Sequence, residues 1–207
     1  MKKLIFPLLT VWAVAAVAVS CCCNKTECGD GADNSAAVIE NIMTRTSIRA
    51  FMDTPVEEAK VEQILRAGMA APSAVNKQPW AFVVVTGREN LDRLSEAHPY
   101  ARMLKTAQVA IVVCGDMTKA LEGAGRDYWI QDASAVTENI LLAAHGLGLG
   151  AVWTGVYPVS ERVATISEAL ELPSYIIPLN VIPMGYPDES PEPKDKWKPE
   201  NVHYNKW

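Results

Sequence analysis

Ala71-Pro72-Ser73-Ala74-Val75-Asn76-Lys77-Gln78-Pro79-Trp80 sets two prolines around a set of short polar side chains. Each proline fixes its own φ and pushes the preceding residue out of the helical region, so the stretch reads as an ordered loop. Asn76 and Gln78 each carry an amide that donates and accepts at once. Such groups suit a heterocycle whose edge alternates C=O and N–H. A solvated helix-to-strand connection would carry them equally well, because loops are polar.

Upstream stands Arg45-Thr46-Ser47-Ile48-Arg49, two guanidinium groups bracketing a hydroxyl. A guanidinium is a planar fork of donors that matches phosphate oxygens, and a serine hydroxyl adds another donor. Taken singly, an R-x-S-x-R stretch is more often a solvated basic patch. Two more stretches follow: Gly146-Leu147-Gly148-Leu149-Gly150-Ala151-Val152-Trp153-Thr154-Gly155, and Met184-Gly185-Tyr186-Pro187 with Lys194-Asp195-Lys196 beyond it.

In this order the four motifs resemble the nitroreductase family of FMN-dependent oxidoreductases, from about Val38 to the C-terminus. The resemblance implies that Arg45, Ser47 and Arg49 hold the FMN phosphate and ribityl chain, with a further cation from Lys194 or Lys196. Many relatives carry Arg where Lys196 stands; lysine keeps the charge and loses the bidentate fork. It also implies that Pro72 and Ser73 shape the loop against the flavin. Asn76 would bond the pyrimidine edge from the opposite subunit, with Gln78 as a neighbour. Backbone N–H groups around Thr154 and Gly155 would approach the ring near N5, while Gly148 and Gly150 make a turn.

No side chain need be the catalyst, since the cofactor carries the redox chemistry. The family's activity would be ping-pong electron transfer from NAD(P)H to nitroaromatic or quinone-like acceptors, with Tyr128, Trp129 or Trp153 stacking on them. Two other readings stand beside it: a flavin-binding lipoprotein without turnover, and a reductase of non-nitro substrates fed by a membrane redox partner. The short span between Gly115 and Tyr128 disfavours branches of the family that carry extra lid segments.

The length of 207 residues allows one domain with a real core. An apolar fraction of 49% with 21% charged residues describes a globular protein, and a formal charge of −5 argues against a nucleic-acid partner. Four of the five cysteines (Cys21, Cys22, Cys23 and Cys28) crowd the N-terminal end, and Cys114 lies in an apolar run, so there is no disulfide framework. No Cys/His spacing suits a metal. His145 lies on a helical pattern and reads as structural.

The patterning predicts a helix from Val38 that ends near Arg45, and another opened by Pro55 that carries Val56, Ala59, Val61, Ile64, Leu65 and Gly68. Strands are expected at 81–86 and 109–114, the latter buried on both faces, with a short helix at 91–96 between them. The longest helix should span 129–145, with Ile130, Ala133, Val136, Ile140, Leu141 and Ala144 as its stripe, stopped by Gly146 and Gly148. Extended structure resumes at 151–153, a helix with Ser160 as N-cap covers 160–170, and a last core strand lies within 175–184. The fold class is therefore α+β. The resemblance sharpens it to a nitroreductase-like FMN-binding fold, with a central mixed, mainly antiparallel sheet covered by helices in an intertwined homodimer. The proline- and charge-rich arm, residues 186–207, would lie across the partner subunit.

Residues 1–20 read as a signal peptide: Lys2 and Lys3 precede an apolar run from Leu4 to Val19, too short for a comfortable membrane span. Ala18-Val19-Ser20-Cys21 resembles a bacterial lipobox, with Ala in place of the usual first Leu, and marks Cys21 for lipidation. Removing residues 1–20 takes two lysines and no acid, leaving 17 basic against 24 acidic groups, a charge of −7. Residues 21–37 read as a polar tether ahead of the domain at 38–207. The expected location is the bacterial cell envelope, lipid-anchored, or the cytoplasm if the signal is not used. Cell fractionation with mass analysis of Cys21 checks this. Lipidated, membrane-associated protein is the expected outcome, and full-length unlipidated protein in the cytoplasm would contradict it.

Overall fold

All eight residues of the strand Val109–Asp116 are buried, and strand alternation sends them in turn to opposite faces of a sheet. Val109, Ile111 and Val113 pack with Ile64, Trp129, Val136 and Ile140 on one face. Ala110, Val112 and Cys114 pack with Leu91, Leu94 and Ile166 on the other. The sheet is thus the middle of three layers, and its central strand has no wet side. This computed structural model describes residues 31–207. The expected signal peptide, the lipidation site Cys21 and tether residues 22–30 lie outside the described residues.

Among the described residues the helices are α1 (Gly31–Thr44), α2 (Glu58–Met69), α3 (Arg88–Ala97), α4 (Tyr128–Gly146) and α5 (Ser160–Ala169). The strands are β1 (Trp80–Thr86), β2 (Val109–Asp116), β3 (Gly150–Ala151), β4 (Thr154–Gly155) and β5 (Ile176–Gly185). Their order is β1-β2-β5-β3, with β4 also paired to β5. Every one of these pairings is antiparallel. The α+β expectation and the mainly antiparallel sheet are as found; no parallel pair that would make the sheet mixed occurs among the described strands. α2 and α4 cover one face, α3 and α5 the other. Opposite Val113 and Cys114 the register steps from Asn180 to Pro178, so Leu179 is an extra residue in β5. A bulge there accommodates a proline that has no N–H to give the ladder.

Several boundaries differ from the sequence reading. Residues 31–37, expected as tether, belong to α1. Ala36 and Ala37 favour helix, and Asn41 docks the same helix by donating to the Leu142 carbonyl at 3.1 Å. α2 opens at Glu58, because Glu57 is still extended at φ −66° and ψ 134°, so Pro55 precedes the helix. Ser160 is already helical and Val159 holds the cap position. At the end of α4, Gly146 is helical, and it is Gly148 that takes the left-handed turn at φ +76°.

Gly150 has a different task from a turn. The Ile48 N–H donates to the Ala151 carbonyl at 3.1 Å, which lays residues 45–49 along β3. A Cβ added to Gly150 would lie 2.6 Å from both Cβ and Cγ2 of Ile48. Gly150→Ala should therefore cost about 1–3 kcal/mol by overpacking. Denaturant unfolding of a double-mutant cycle with Ile48→Ala should show the two changes partly compensating, whereas simple additivity would contradict the contact.

Candidate functional site

Residues 45–49 leave α1 and run beside β3 with Ile48 turned inward and buried. Arg45 is held from α4, its Nε 3.6 Å from Glu138 Oε1, and its side chain is only 17% exposed. Thr44 gives its hydroxyl proton to the Glu40 carbonyl at 2.7 Å, so His145 Nε2–H must be the donor in its 3.0 Å bond to Thr44 Oγ1. His145 therefore ties the end of α4 to the start of this segment, a structural role as its pattern suggested. Burial, reinforced by the nearby Arg45 charge, lowers its pKa.

The C-terminal arm returns to the same segment. The Met52 N–H donates to the Tyr186 carbonyl and the Asp188 N–H to the Ala50 carbonyl, both at 2.9 Å, around a bridge between Phe51 and Pro187. Glu189 Oε1 accepts from the N–H groups of Arg49 and Ala50. Tyr186 is pinned in turn, donating to Glu57 Oε2 at 2.8 Å and accepting from Lys60 Nζ at 2.7 Å. Beyond this contact the arm carries Lys194 and Lys196 to a cavity of about 650 Å³ that Arg45, Ser47 and Arg49 also line. That size lies within the ordinary range for ligand pockets. The structure thus joins the two cationic motifs that the sequence holds apart.

Two residues on this side had no signal in the sequence. Glu138 faces the cavity and orients Arg45. Arg102, from the turn Arg102–Lys105, lines with Arg49 an adjoining cavity of about 450 Å³. Only the fold brings them there.

The loop Pro72–Gln78 lies elsewhere in the chain's own fold. Ser73 Oγ accepts from the Gln78 N–H at 2.9 Å, and Gln78 Nε2 donates to Asn76 Oδ1 at 3.1 Å. Asp132 of α4 accepts from the Ala74 N–H at 2.8 Å. Val75, Asn76 and Gln78 are all left-handed, at φ +52°, +54° and +51°. Non-glycine residues there cost about 1–3 kcal/mol each and persist only where their surroundings hold them. Asp132 and Glu138 are six residues apart on α4, about 9 Å along the axis and about 240° around it. The loop and the cationic cavity therefore occupy different faces of one helix, and Pro72, Ser73, Asn76 and Gln78 do not line that cavity.

On β4, Thr154 is buried and its hydroxyl donates to the Val181 carbonyl at 2.7 Å. A Cβ built on the neighbouring Gly155 would meet no atom of the described residues within 4 Å, which leaves room there for a flat ring. Trp153 and Tyr128 are exposed, at 38% and 48%, and free to contact a planar molecule. Trp129 is not: it is buried at 3% and packs edge-on to Tyr157 at 5.0 Å, which removes it from the expected stacking residues. Burial pushes the Cys114 thiol up to about 12, so it is no thiolate nucleophile.

The sequence matches the Nitroreductase family over residues 42–98 and 95–186. It is 48% identical over 179 residues to a Methanothermobacter thermautotrophicus protein provisionally named NADH dehydrogenase/NAD(P)H nitroreductase, covering 86% of this chain and 92% of that one. A crystal structure of a protein of the same provisional name from Bacteroides thetaiotaomicron superposes with a TM-score of 0.78 at 45% identity, covering 83% of this chain and 98% of that one. A provisionally named nitroreductase from Desulfovibrio desulfuricans, crystallised in complex with FMN, gives 0.72 at 32% identity, covering 82% and 97%. The chain belongs to the nitroreductase family.

His98, beside β4, is buried at 1%, and among the described residues neither ring nitrogen makes a hydrogen bond of full geometry. Burial lowers its pKa from the ordinary 6.5, the Arg162 charge adds to that, and the Thr154 backbone offsets part of it. A histidine with a lowered folded pKa binds more protons when unfolded. Its contribution is fully present above the unfolded pKa and is lost as pH falls through about 6.5 toward the folded value. Stability should therefore drop between pH 7 and 5, with a slope from His98 of at most about 1.4 kcal/mol per pH unit. Denaturant titrations across that range should show a shallower slope in His98→Leu, and an unchanged slope would contradict the assignment.

Proposed function

We propose that this protein is an FMN-dependent NAD(P)H oxidoreductase whose FMN phosphate lies between Arg45, Ser47 and Arg49 on one side and Lys194 and Lys196 on the other. The observation that carries the reading is the convergence of these two motifs on one cavity. Relatives that carry NAD(P)H in their names, and one crystallised with FMN, support the cofactor and the donor. FMN, when bound, supplies the two-electron redox chemistry.

The residues of the chain bind and orient. The Arg45 and Arg49 guanidinium groups offer planar forks to phosphate oxygens, and Ser47 adds a neutral donor. Glu138 keeps Arg45 aimed, at the expense of part of its charge. The side-chain-free face of Gly155 lets a ring approach the β4 backbone, and Trp153 and Tyr128 suit a flat acceptor, nitroaromatic or quinone-like. Arg102 adds positive charge next to Arg49.

A homodimer is part of this reading. Val38, Ile39, Ile42 and Met43 form an exposed apolar stripe on α1, and Trp197, Tyr204 and Trp207 of the arm are 70–99% exposed. Residues of this kind need a second copy to cover them. Asn76 and Gln78, turned away from their own chain's cavity, would serve the partner's. We include export and lipidation of Cys21 in the proposal on the strength of the leader sequence. If the protein is exported, a membrane quinol or redox partner would feed it in the cell, while the purified protein still accepts electrons from NAD(P)H.

The purified protein should be yellow and should bleach with NAD(P)H under argon. A yellow protein that stays oxidised with every donor would favour the binding-only reading. Arg45→Ala removes a charge-assisted contact worth about 1.5–3 kcal/mol, a loss of roughly ten- to hundredfold in FMN affinity. An unchanged dissociation constant by fluorescence titration would contradict the phosphate assignment.

A further inference from the structure

Arg162, in the first turn of α5, forms no ion pair with any carboxylate among the described residues. Its Nη1 donates to the Gly155 carbonyl at 3.2 Å. Its Cζ lies 4.3 Å from the centre of the Tyr100 ring, close enough for a cation–π contact. Tyr100 stands edge-on to the buried His98 at 6.4 Å, and two residues further on is Arg102. One guanidinium therefore spans two segments that the fold brings to the same side, the 98–102 turn and β4. Such a fork is pre-organised to hold two acceptors at fixed separation, and a cation with no acidic partner keeps its field.

We propose that Arg162 is a positioning residue that fixes the β4 backbone at Gly155 against the 98–102 turn and biases the bound flavin toward its reduced, electron-rich form. This rests on the proposed FMN site. The bland alternative is a surface arginine stacked on a tyrosine, which would contribute stability and nothing to the cofactor. The two differ in what they do to oxidised and reduced flavin. Loss of a structural contact weakens both equally. Loss of the cation beside β4 and of the bond that holds the Gly155 carbonyl weakens the reduced form more, and so lowers the midpoint potential.

The test is a dye-linked redox titration of the FMN-loaded protein, run beside flavin stoichiometry and thermal melting for the wild type, Arg162→Gln, Arg162→Lys and Tyr100→Leu. Arg162→Gln should still bind one FMN per chain and lose about tenfold of its preference for reduced over oxidised FMN, a fall of about 30 mV for a two-electron couple. Arg162→Lys, which keeps the charge and one donor for Gly155, should recover most of that shift. Tyr100→Leu, which removes only the platform, should fall between. A wild-type potential in both Arg162→Gln and Tyr100→Leu would overturn the proposal, whatever the melting temperatures do. If Arg162→Gln does not fold, a wild-type potential in Tyr100→Leu alone overturns it. A wild-type protein that takes up no FMN overturns the underlying FMN reading instead, and is recognised before any variant is measured.

Discussion

The short antiparallel contact between residues 50–52 and 186–188 is the constraint on which the rest of the site depends. Two main-chain hydrogen bonds and a bridge between Phe51 and Pro187 fix the direction in which the arm leaves β5. The Glu189 carboxylate then seals it by accepting from two successive N–H groups at Arg49 and Ala50. Without this contact Lys194 and Lys196 are charges on a proline-rich tail. With it they face Arg45 and Arg49 across one cavity. Charge-assisted bonds to backbone N–H groups are among the stronger hydrogen bonds available at a protein surface. That strength matters because the arm has no core of its own.

The sheet makes this contact possible by being buried on both sides. β5 lies between β2 and β3, and its end at Gly185 delivers the chain beside residues 49–52. Gly150 lets Ile48 pass close to β3, so the Arg45 segment and the β4 backbone hang from the same edge of the sheet. α4 does the remaining work from one face of the sheet. Asp132 holds the strained Pro72–Gln78 loop and Glu138 aims Arg45, with the helix itself between them. In the proposed reading these become two pieces of one cofactor site, completed by a second copy of the chain.

Much of the fold was legible because its signals are periodic and local. β2 reads as a continuous apolar run, and α4 as a stripe whose Ala133, Val136, Ile140, Leu141 and Ala144 are buried as expected. The helix starts were less legible, since Pro55 and Ser160 look like start signals while Glu57 and Val159 hold the last extended positions. The site divides in the same way. The Arg45-Ser47-Arg49 and Lys194-Asp195-Lys196 motifs stand out as motifs, and their meeting is a property of the fold. Glu138 and Arg102 carry no pattern at all, because each meets the Arg45–Arg49 segment only through the fold. Trp129 misled because an aromatic residue at a helix start serves a core as well as a ligand, and here the core holds it.

If the cavity is built around a phosphate, FMN and riboflavin will differ sharply in affinity. The two share the ring and ribityl chain and differ only in the phosphate, which would meet several charged donors here. With charge-assisted contacts worth about 1.5–3 kcal/mol each, riboflavin should bind on the order of a hundredfold or more weakly. The gap should narrow as salt screens the exposed lysines. Equal affinities for FMN and riboflavin would contradict a phosphate-centred site.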